Sequence, residues 1–101
     1  MGEGQQAVSE RGEITDAVLL DAIADRDEQA LRELYLRHAP ALLARLSARC
    51  RDRQLVEEAV QDTFVSVWRH PHGWRGDGVV AAWLWGIAIR RLLDRLRRRK
   101  L

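Results

Sequence analysis

The chain has 101 residues, of which 17 are basic and 15 acidic, and this size fits one small domain. Its single cysteine excludes an intramolecular disulfide. The longest apolar run, residues 79–89, is too short for a membrane span, which takes about 20 residues. Residues 1–13 are polar and lack the apolar segment of a signal peptide. We therefore expect a cytoplasmic protein with a flexible tail, residues 1–13, and a folded domain, residues 14–101.

The charge is divided unevenly along the chain. Residues 1–50 carry six basic and nine acidic side chains, whereas residues 51–101 carry eleven basic and six acidic ones. Seven of the basic residues lie between Arg90 and Lys100, opposed only by Asp94. A basic end of this kind either binds phosphate groups or keeps the domain soluble. Charge alone leaves both interpretations open.

The hydrophobic spacing predicts an all-α fold, a compact bundle of about four helices. Thr15 or Asp16 caps the first predicted helix, and Asp27 caps the second, which extends to about Cys50. Apolar side chains of these two helices are expected to face the core. They are Val18, Leu19, Ala22, Ile23, Leu31, Leu34, Tyr35, Ala39, Leu42, Leu43 and Leu46.

Asp52 caps the third predicted helix, which ends at about Arg69. Its apolar residues lie at helical spacing and form one stripe, with Leu55, Ala59 and Trp68 beside Val56, Val60, Phe64 and Val67. The other side carries a polar stripe, which consists of Glu57, Glu58, Gln61 and Asp62. Such a stripe is usually only a solvated face, so its spacing by itself does not assign a function.

A loop from His70 to Gly78 follows, with three glycines, and the fourth predicted helix begins at about Asp77 or Gly78. The first half of this helix is apolar nearly all round, so other helices or a partner must cover it. Trp83 and Trp85 are two residues apart and cannot share a face. We expect one of the two in the core and the other nearer the surface.

Aromatic residues beside arginines are typical of proteins that hold single-stranded nucleic acid, because arginines follow the backbone and aromatic rings stack on bases. Trp74 in the glycine-rich loop is one candidate, although it can equally pack back over the core. The basic candidates, which can also form a solvated helix end, are Arg90, Arg91, Arg95 and Arg98. No catalytic arrangement or metal-ligand set is complete, so we expect neither an enzyme nor a cofactor.

Several segments, in this order, resemble one protein family. DEQALRELY at 27–35 and HAP at 38–40 come first, followed by DRQLVEEAVQDTFVSVWR at 52–69. WRGD at 74–77, AWLWGIA at 82–88 and LDRLRRR at 93–99 complete the pattern. Together they resemble region 2 of the extracytoplasmic-function (ECF) sigma factors of bacterial RNA polymerase, over about residues 15–100.

The resemblance implies a transcription initiation domain that binds the polymerase core and recognises and melts the minus-ten promoter element. The residues implied to dock on the clamp coiled coil of the polymerase are Glu57, Glu58, Gln61 and Asp62. The residues implied to receive a flipped base of the non-template strand are Trp74, Arg75, Gly76 and Asp77. The residues implied to hold the strand backbone are Arg90, Arg91, Arg95 and Arg98.

Some features depart from the family pattern. Arg90 stands where many members have Asn, and Val79 and Val80 replace a Ser/Ala-Phe pair. The family also carries a second, helix-turn-helix domain, so we expect this chain to be one domain of a longer protein or a truncated member. The alternative function is an interaction module that docks on polymerase, or on an anti-sigma factor, without reading DNA.

Overall fold

A computed structural model describes residues 14–100, apart from the side chain of Lys100. It contains four α-helices, α1 (Asp16–Ala24), α2 (Glu28–Ser47), α3 (Arg53–Arg69) and α4 (Val80–Lys100), with a short 3-10 helix, η1 (Pro71–Gly73), between the last two. The predicted all-α bundle is therefore confirmed. The predicted tail, residues 1–13, lies outside the described residues. Within the described part of the chain, no helix combines the length and apolarity that crossing a bilayer requires.

The first three helices begin at predicted caps. The hydroxyl of Thr15 accepts a hydrogen bond from the backbone N–H of Val18 at 3.3 Å. The carboxylate of Asp27 accepts hydrogen bonds from two backbone N–H groups of the following turn. The carboxylate of Asp52 accepts a hydrogen bond from the backbone N–H of Leu55 at 3.2 Å. These bonds satisfy N–H groups that the first turn of a helix leaves without an intrahelical partner.

Two helix boundaries differ from the prediction. α2 ends at Ser47, not near Cys50, because the N–H groups of Arg49 and Cys50 both turn back to the carbonyl of Leu46. α4 begins at Val80 rather than at residue 77 or 78. The φ angles of Gly76 and Gly78, two of the three loop glycines, are +89° and +71°, which a right-handed helix does not allow.

The core is formed by apolar side chains from all four helices: Leu19, Leu20, Ile23, Ala30, Leu34, Ala39, Leu42, Leu46, Leu55, Val56, Ala59, Val60, Phe64, Val67, Val80, Leu84, Ala88 and Leu92. This set contains the whole predicted stripe of α3, and Trp68 packs against it. The prediction was wrong for Tyr35, which is 41% exposed. Its ring lies on the rim of the core, where it meets the ring of Phe64 edge-on at 4.9 Å between centroids.

The sequence predicted one tryptophan of α4 in the core and the other nearer the surface, and this prediction was wrong. Trp83 and Trp85 are both half-buried, whereas Leu84 between them is fully buried. Each residue turns a helix by about 100°, so a residue that points into the core places both neighbours at its edges. The guanidinium groups of Arg45 and Arg49 lie 3.8 and 4.9 Å from the ring centroid of Trp85 and cover its outer face.

Candidate functional site

α3 and α4 lie side by side in opposite directions. Arg91 donates a hydrogen bond to the hydroxyl of Ser66 at 2.8 Å, and Arg95, one turn later on α4, bonds to Asp62, one turn earlier on α3. Because the partners ascend on one helix and descend on the other, the helices are antiparallel. This arrangement brings Arg95, one of the predicted strand-binding arginines, next to the predicted docking stripe.

Arg95 joins the two predicted sites in one ion-pair network. Its Nε donates to Oδ2 of Asp62 at 2.6 Å and its Nη2 donates to Oδ1 at 3.0 Å, while its Nη1 lies 3.4 Å from Oε1 of Glu58. The hydrogen bond to Asp62 is the main reason that the pKa of Arg95 is raised above its usual value. All three nitrogens of the guanidinium therefore have an anionic partner within the chain.

The other two residues of the polar stripe, Glu57 and Gln61, are exposed. Glu57 accepts a hydrogen bond from Nε of Arg53 at 2.9 Å, one turn earlier on α3, a partner that the sequence reasoning missed. Since this pair lies at the surface, it does not prevent Glu57 from contacting another molecule. The stripe thus has an exposed half and a half that is occupied by Arg95.

Two open grooves follow the seam between α2 and α3. The first, of about 970 Å³, is bordered by Glu57, Glu58 and Gln61 and is otherwise lined mainly by residues 43–56. The second, of about 620 Å³, is more apolar, and its apolar wall consists of Leu31, Tyr35, Phe64, Val65 and Trp68. Tyr35 and Gln61 line both grooves, so the predicted docking stripe borders a larger surface that mixes charged and apolar side chains.

Trp74 packs against the core, and its indole Nε1 is buried without a hydrogen-bond acceptor among residues 14–100. The polar edge of its ring therefore faces inward. The next residues, 75–79, are all exposed, including Arg75, Gly76 and Asp77. The structure places the ring against the core and the rest of the predicted base-receiving segment on the surface.

A cleft of about 380 Å³ lies between the end of α3, η1 and α4, here named the α3–α4 cleft. It is lined by Ser66, His70, Gly73, Trp83, Ile87, Arg90, Arg91 and Asp94. Of the four predicted strand-binding arginines it includes Arg90 and Arg91, whereas Arg95 and Arg98 lie farther along α4. The sequence reasoning missed Ser66, His70 and Trp83, because only the antiparallel pairing of the helices brings them together.

Asp52 forms hydrogen bonds with both the start of α3 and the end of α4. Its Oδ1 caps α3, and its Oδ2 accepts a hydrogen bond from Arg99. The bond from Arg99, followed by the backbone N–H of Leu55, holds the pKa of the Asp52 carboxyl below its usual value. No cluster of three or more His, Cys, Asp or Glu side chains within residues 14–100 is suited to hold a metal ion.

Residues 34–101 match the family model described as Sigma-70 region 2. The ECF RNA polymerase sigma factor SigM of Mycobacterium tuberculosis is 39% identical over 92 residues, which cover 89% of this chain and 46% of SigM. The ECF RNA polymerase sigma factor SigK of a Mycobacterium species is 36% identical over 81 residues, which cover 79% of this chain and 42% of SigK.

A SigK of Mycolicibacterium vanbaalenii is 32% identical over 80 residues, covering 78% of this chain and 41% of that protein. The chain thus spans less than half the length of the curated relatives that it matches. No solved structure gives a significant match. With its helical bundle and the family match over two thirds of its length, the chain belongs to the Sigma-70 region 2 family.

Proposed function

We propose that this chain is the part of a sigma factor that docks on the RNA polymerase core and holds the melted minus-ten promoter strand. Membership of the Sigma-70 region 2 family supports the general role. The relatives named as RNA polymerase sigma factors are about twice as long as this chain, so their activity is carried over here as a proposal.

The observation that carries the proposal is that α3 contributes to two separate surfaces. Glu57, Glu58 and Gln61 border the first groove between α2 and α3, whereas Ser66, at the other end of α3, lines the α3–α4 cleft. The two surfaces share no lining residue. A protein and a nucleic acid that use these two surfaces do not compete for the same lining residues.

In this proposal the exposed half of the polar stripe, Glu57 and Gln61, makes the first contacts with the clamp coiled coil of the polymerase. The side chains of Glu58 and Asp62 are only 35% and 30% exposed. In the free chain both are paired with Arg95. The adjacent grooves offer apolar area, and buried apolar area contributes most of the favourable free energy in protein association.

For the nucleic acid, the exposed loop from Arg75 to Val79 and the α3–α4 cleft form the proposed binding surface. Arg90 and Arg91 in the cleft contact phosphates of the non-template strand, and half-buried Trp83 offers an aromatic wall nearby. Extruding a base costs a few kcal/mol of lost stacking, which an enclosing site offsets.

Binding to purified bacterial core polymerase tests the docking surface. The double variant Glu57→Ala with Gln61→Ala removes the exposed half of the stripe. Its matched control is Glu33→Ala on α2, because Glu33 and Glu57 each pair with an arginine four residues away, and Glu33 lines neither groove. We expect at least a tenfold loss of affinity for the first variant and little change for the control. An equal loss in both variants would remove the assignment to α3.

The alternative, docking on polymerase or on an anti-sigma factor without reading DNA, draws support from the exposed apolar side chains of Tyr35, Leu36 and Val65. Salt dependence separates the two functions. Binding to a single-stranded minus-ten oligonucleotide should weaken steeply as salt increases, because phosphate contacts release counterions. Absence of any salt-dependent binding to DNA, together with intact polymerase binding, would favour the alternative.

A further inference from the structure

We propose that Arg95 is shared between the two binding surfaces and exchanges partners when the chain docks. In the free chain its guanidinium is held by Asp62 and Glu58. A cationic group of a docking partner takes over these carboxylates, and the released Arg95 then contacts a phosphate of the bound strand. This inference rests on the proposed function and adds a mechanism that links its two halves.

A docking partner and Arg95 compete for the same carboxylate. Both oxygens of the Asp62 carboxylate accept hydrogen bonds from Arg95, at 2.6 and 3.0 Å. A partner arginine that binds a carboxylate does so best with two parallel N–H groups, which need the same two oxygens. Bidentate recognition of Asp62 by a partner arginine therefore displaces Arg95.

Partial exposure makes the exchange feasible. The side chains of Arg95 and Asp62 are 28% and 30% exposed, so solvent reaches both members of the pair. Ion pairs that solvent reaches contribute little net stability. Replacing one guanidinium by another leaves the carboxylate satisfied, so the exchange does not leave an unpaired charge behind.

The position of Arg95 on α4 gives the released guanidinium a second partner. Arg95 follows Arg91 by four residues, so the two side chains lie on the same face of the helix. Arg91 lines the α3–α4 cleft, and a released Arg95 extends this row of positive charge by one turn. By thermodynamic linkage, a partner that frees Arg95 strengthens strand binding, and the strand strengthens docking by the same factor.

The salt dependence of binding to a single-stranded DNA oligonucleotide tests this inference on the chain alone. Asp62→Asn keeps the shape of the side chain but removes the charge that holds Arg95. Each additional phosphate contact steepens the slope of log affinity against log salt by about 0.7 for single strands. We therefore expect Asp62→Asn to lose roughly 2.6-fold more affinity than the wild type between about 50 and about 200 mM salt.

Glu33→Gln on α2 is the matched control, because it removes the same charge while Glu33 pairs with Arg37 and not with Arg95. It should keep the wild-type slope. Combining Asp62→Asn with Arg95→Gln should abolish the added steepness. Arg95→Gln alone should also keep the wild-type slope, since Arg95 is held within the free chain, and this comparison does not depend on the folding of Asp62→Asn.

The outcomes separate the inference from the proposed function. If Asp62→Asn binds with the wild-type slope, if Glu33→Gln steepens the slope equally, or if Arg95→Gln alone lowers it, the exchange is wrong while strand binding stands. If no variant and no wild-type chain binds the oligonucleotide, both the exchange and the strand-binding half of the proposed function are overturned. Circular dichroism of each variant shows whether its helices are retained.

Discussion

The guanidinium of Arg95 donates two hydrogen bonds to the carboxylate of Asp62, at 2.6 and 3.0 Å, and so joins α4 to α3. Both residues have site roles in the sequence-based prediction, one toward nucleic acid and one toward polymerase. In the free chain they bind each other. The two predicted sites are therefore physically connected, and a change at one is expected to affect the other.

A double-mutant cycle of Arg95→Ala and Asp62→Ala should give a coupling free energy of roughly 1 kcal/mol, because the pair is bidentate but partly exposed. The matched control is the pair of Arg53 and Glu57, whose side chains are 90% and 57% exposed. Its coupling should stay below about 0.5 kcal/mol. Urea unfolding of the single and double variants measures both, and equal coupling in the two cycles would contradict the prediction.

Stability in acid should depend on Asp52. Its folded-state pKa lies below the ordinary value of 3.8, so its contribution is fully present above that value and is lost as pH falls through the lowered pKa. Asp52→Asn keeps an oxygen that can cap α3 but loses the charge paired with Arg99. We expect the wild type to unfold at a higher temperature than this variant near neutral pH, and the difference to shrink in strong acid.

Arg99→Gln removes the same ion pair from the other side and is the control. Like Asp52→Asn, it should show a smaller difference in unfolding temperature between neutral and acid pH than the wild type does. If thermal unfolding of Arg99→Gln retains the full pH dependence of the wild type, the pair with Arg99 does not cause the lowered pKa of Asp52.

Two glycines should respond in opposite directions to replacement by alanine. A Cβ on Gly73 would lie 3.0 Å from Cζ2 of Trp83, so the indole ring must shift by a few tenths of an ångström and the chain should lose about 1 kcal/mol, the lower end of the cost of overpacking. A Cβ on Gly86, inside α4, would meet nothing within 4 Å, so Gly86→Ala should stabilise the helix by about 0.5–1 kcal/mol. Chemical unfolding measures both changes, and a destabilised Gly86→Ala would show that α4 does not tolerate a methyl group there.

Trp74→Phe should retain stability to within about 1 kcal/mol, because the buried Nε1 that it removes has no acceptor in residues 14–100 and such a group costs free energy. Trp74→Ala should lower the free energy of unfolding by roughly 2 kcal/mol, which is less than the loss expected for a fully buried tryptophan. It should also abolish binding to the minus-ten oligonucleotide. Neither change should affect binding to core polymerase. Loss of oligonucleotide binding in Trp74→Phe with its stability intact would instead assign a direct contact to the indole.

Local sequence chemistry was sufficient for the helices and for the core face of α3. Thr15, Asp27 and Asp52 act as caps through hydrogen bonds to residues two or three positions away, so their neighbours in sequence determine them. The apolar stripe of α3 repeats with the period of the helix, and it is buried as predicted. Motif order likewise identified the family, because the order of segments is a property of the sequence alone.

The partners of the site residues depend instead on how the helices pack. Asp62 and Arg95 are 33 positions apart, and no spacing rule relates them until α3 and α4 lie antiparallel. The same packing placed Tyr35 at the rim of the core and the ring of Trp74 against it. A sequence specifies which side chains can form ion pairs, but which charges come within hydrogen-bonding distance depends on contacts between elements, and those contacts exist only in the folded bundle.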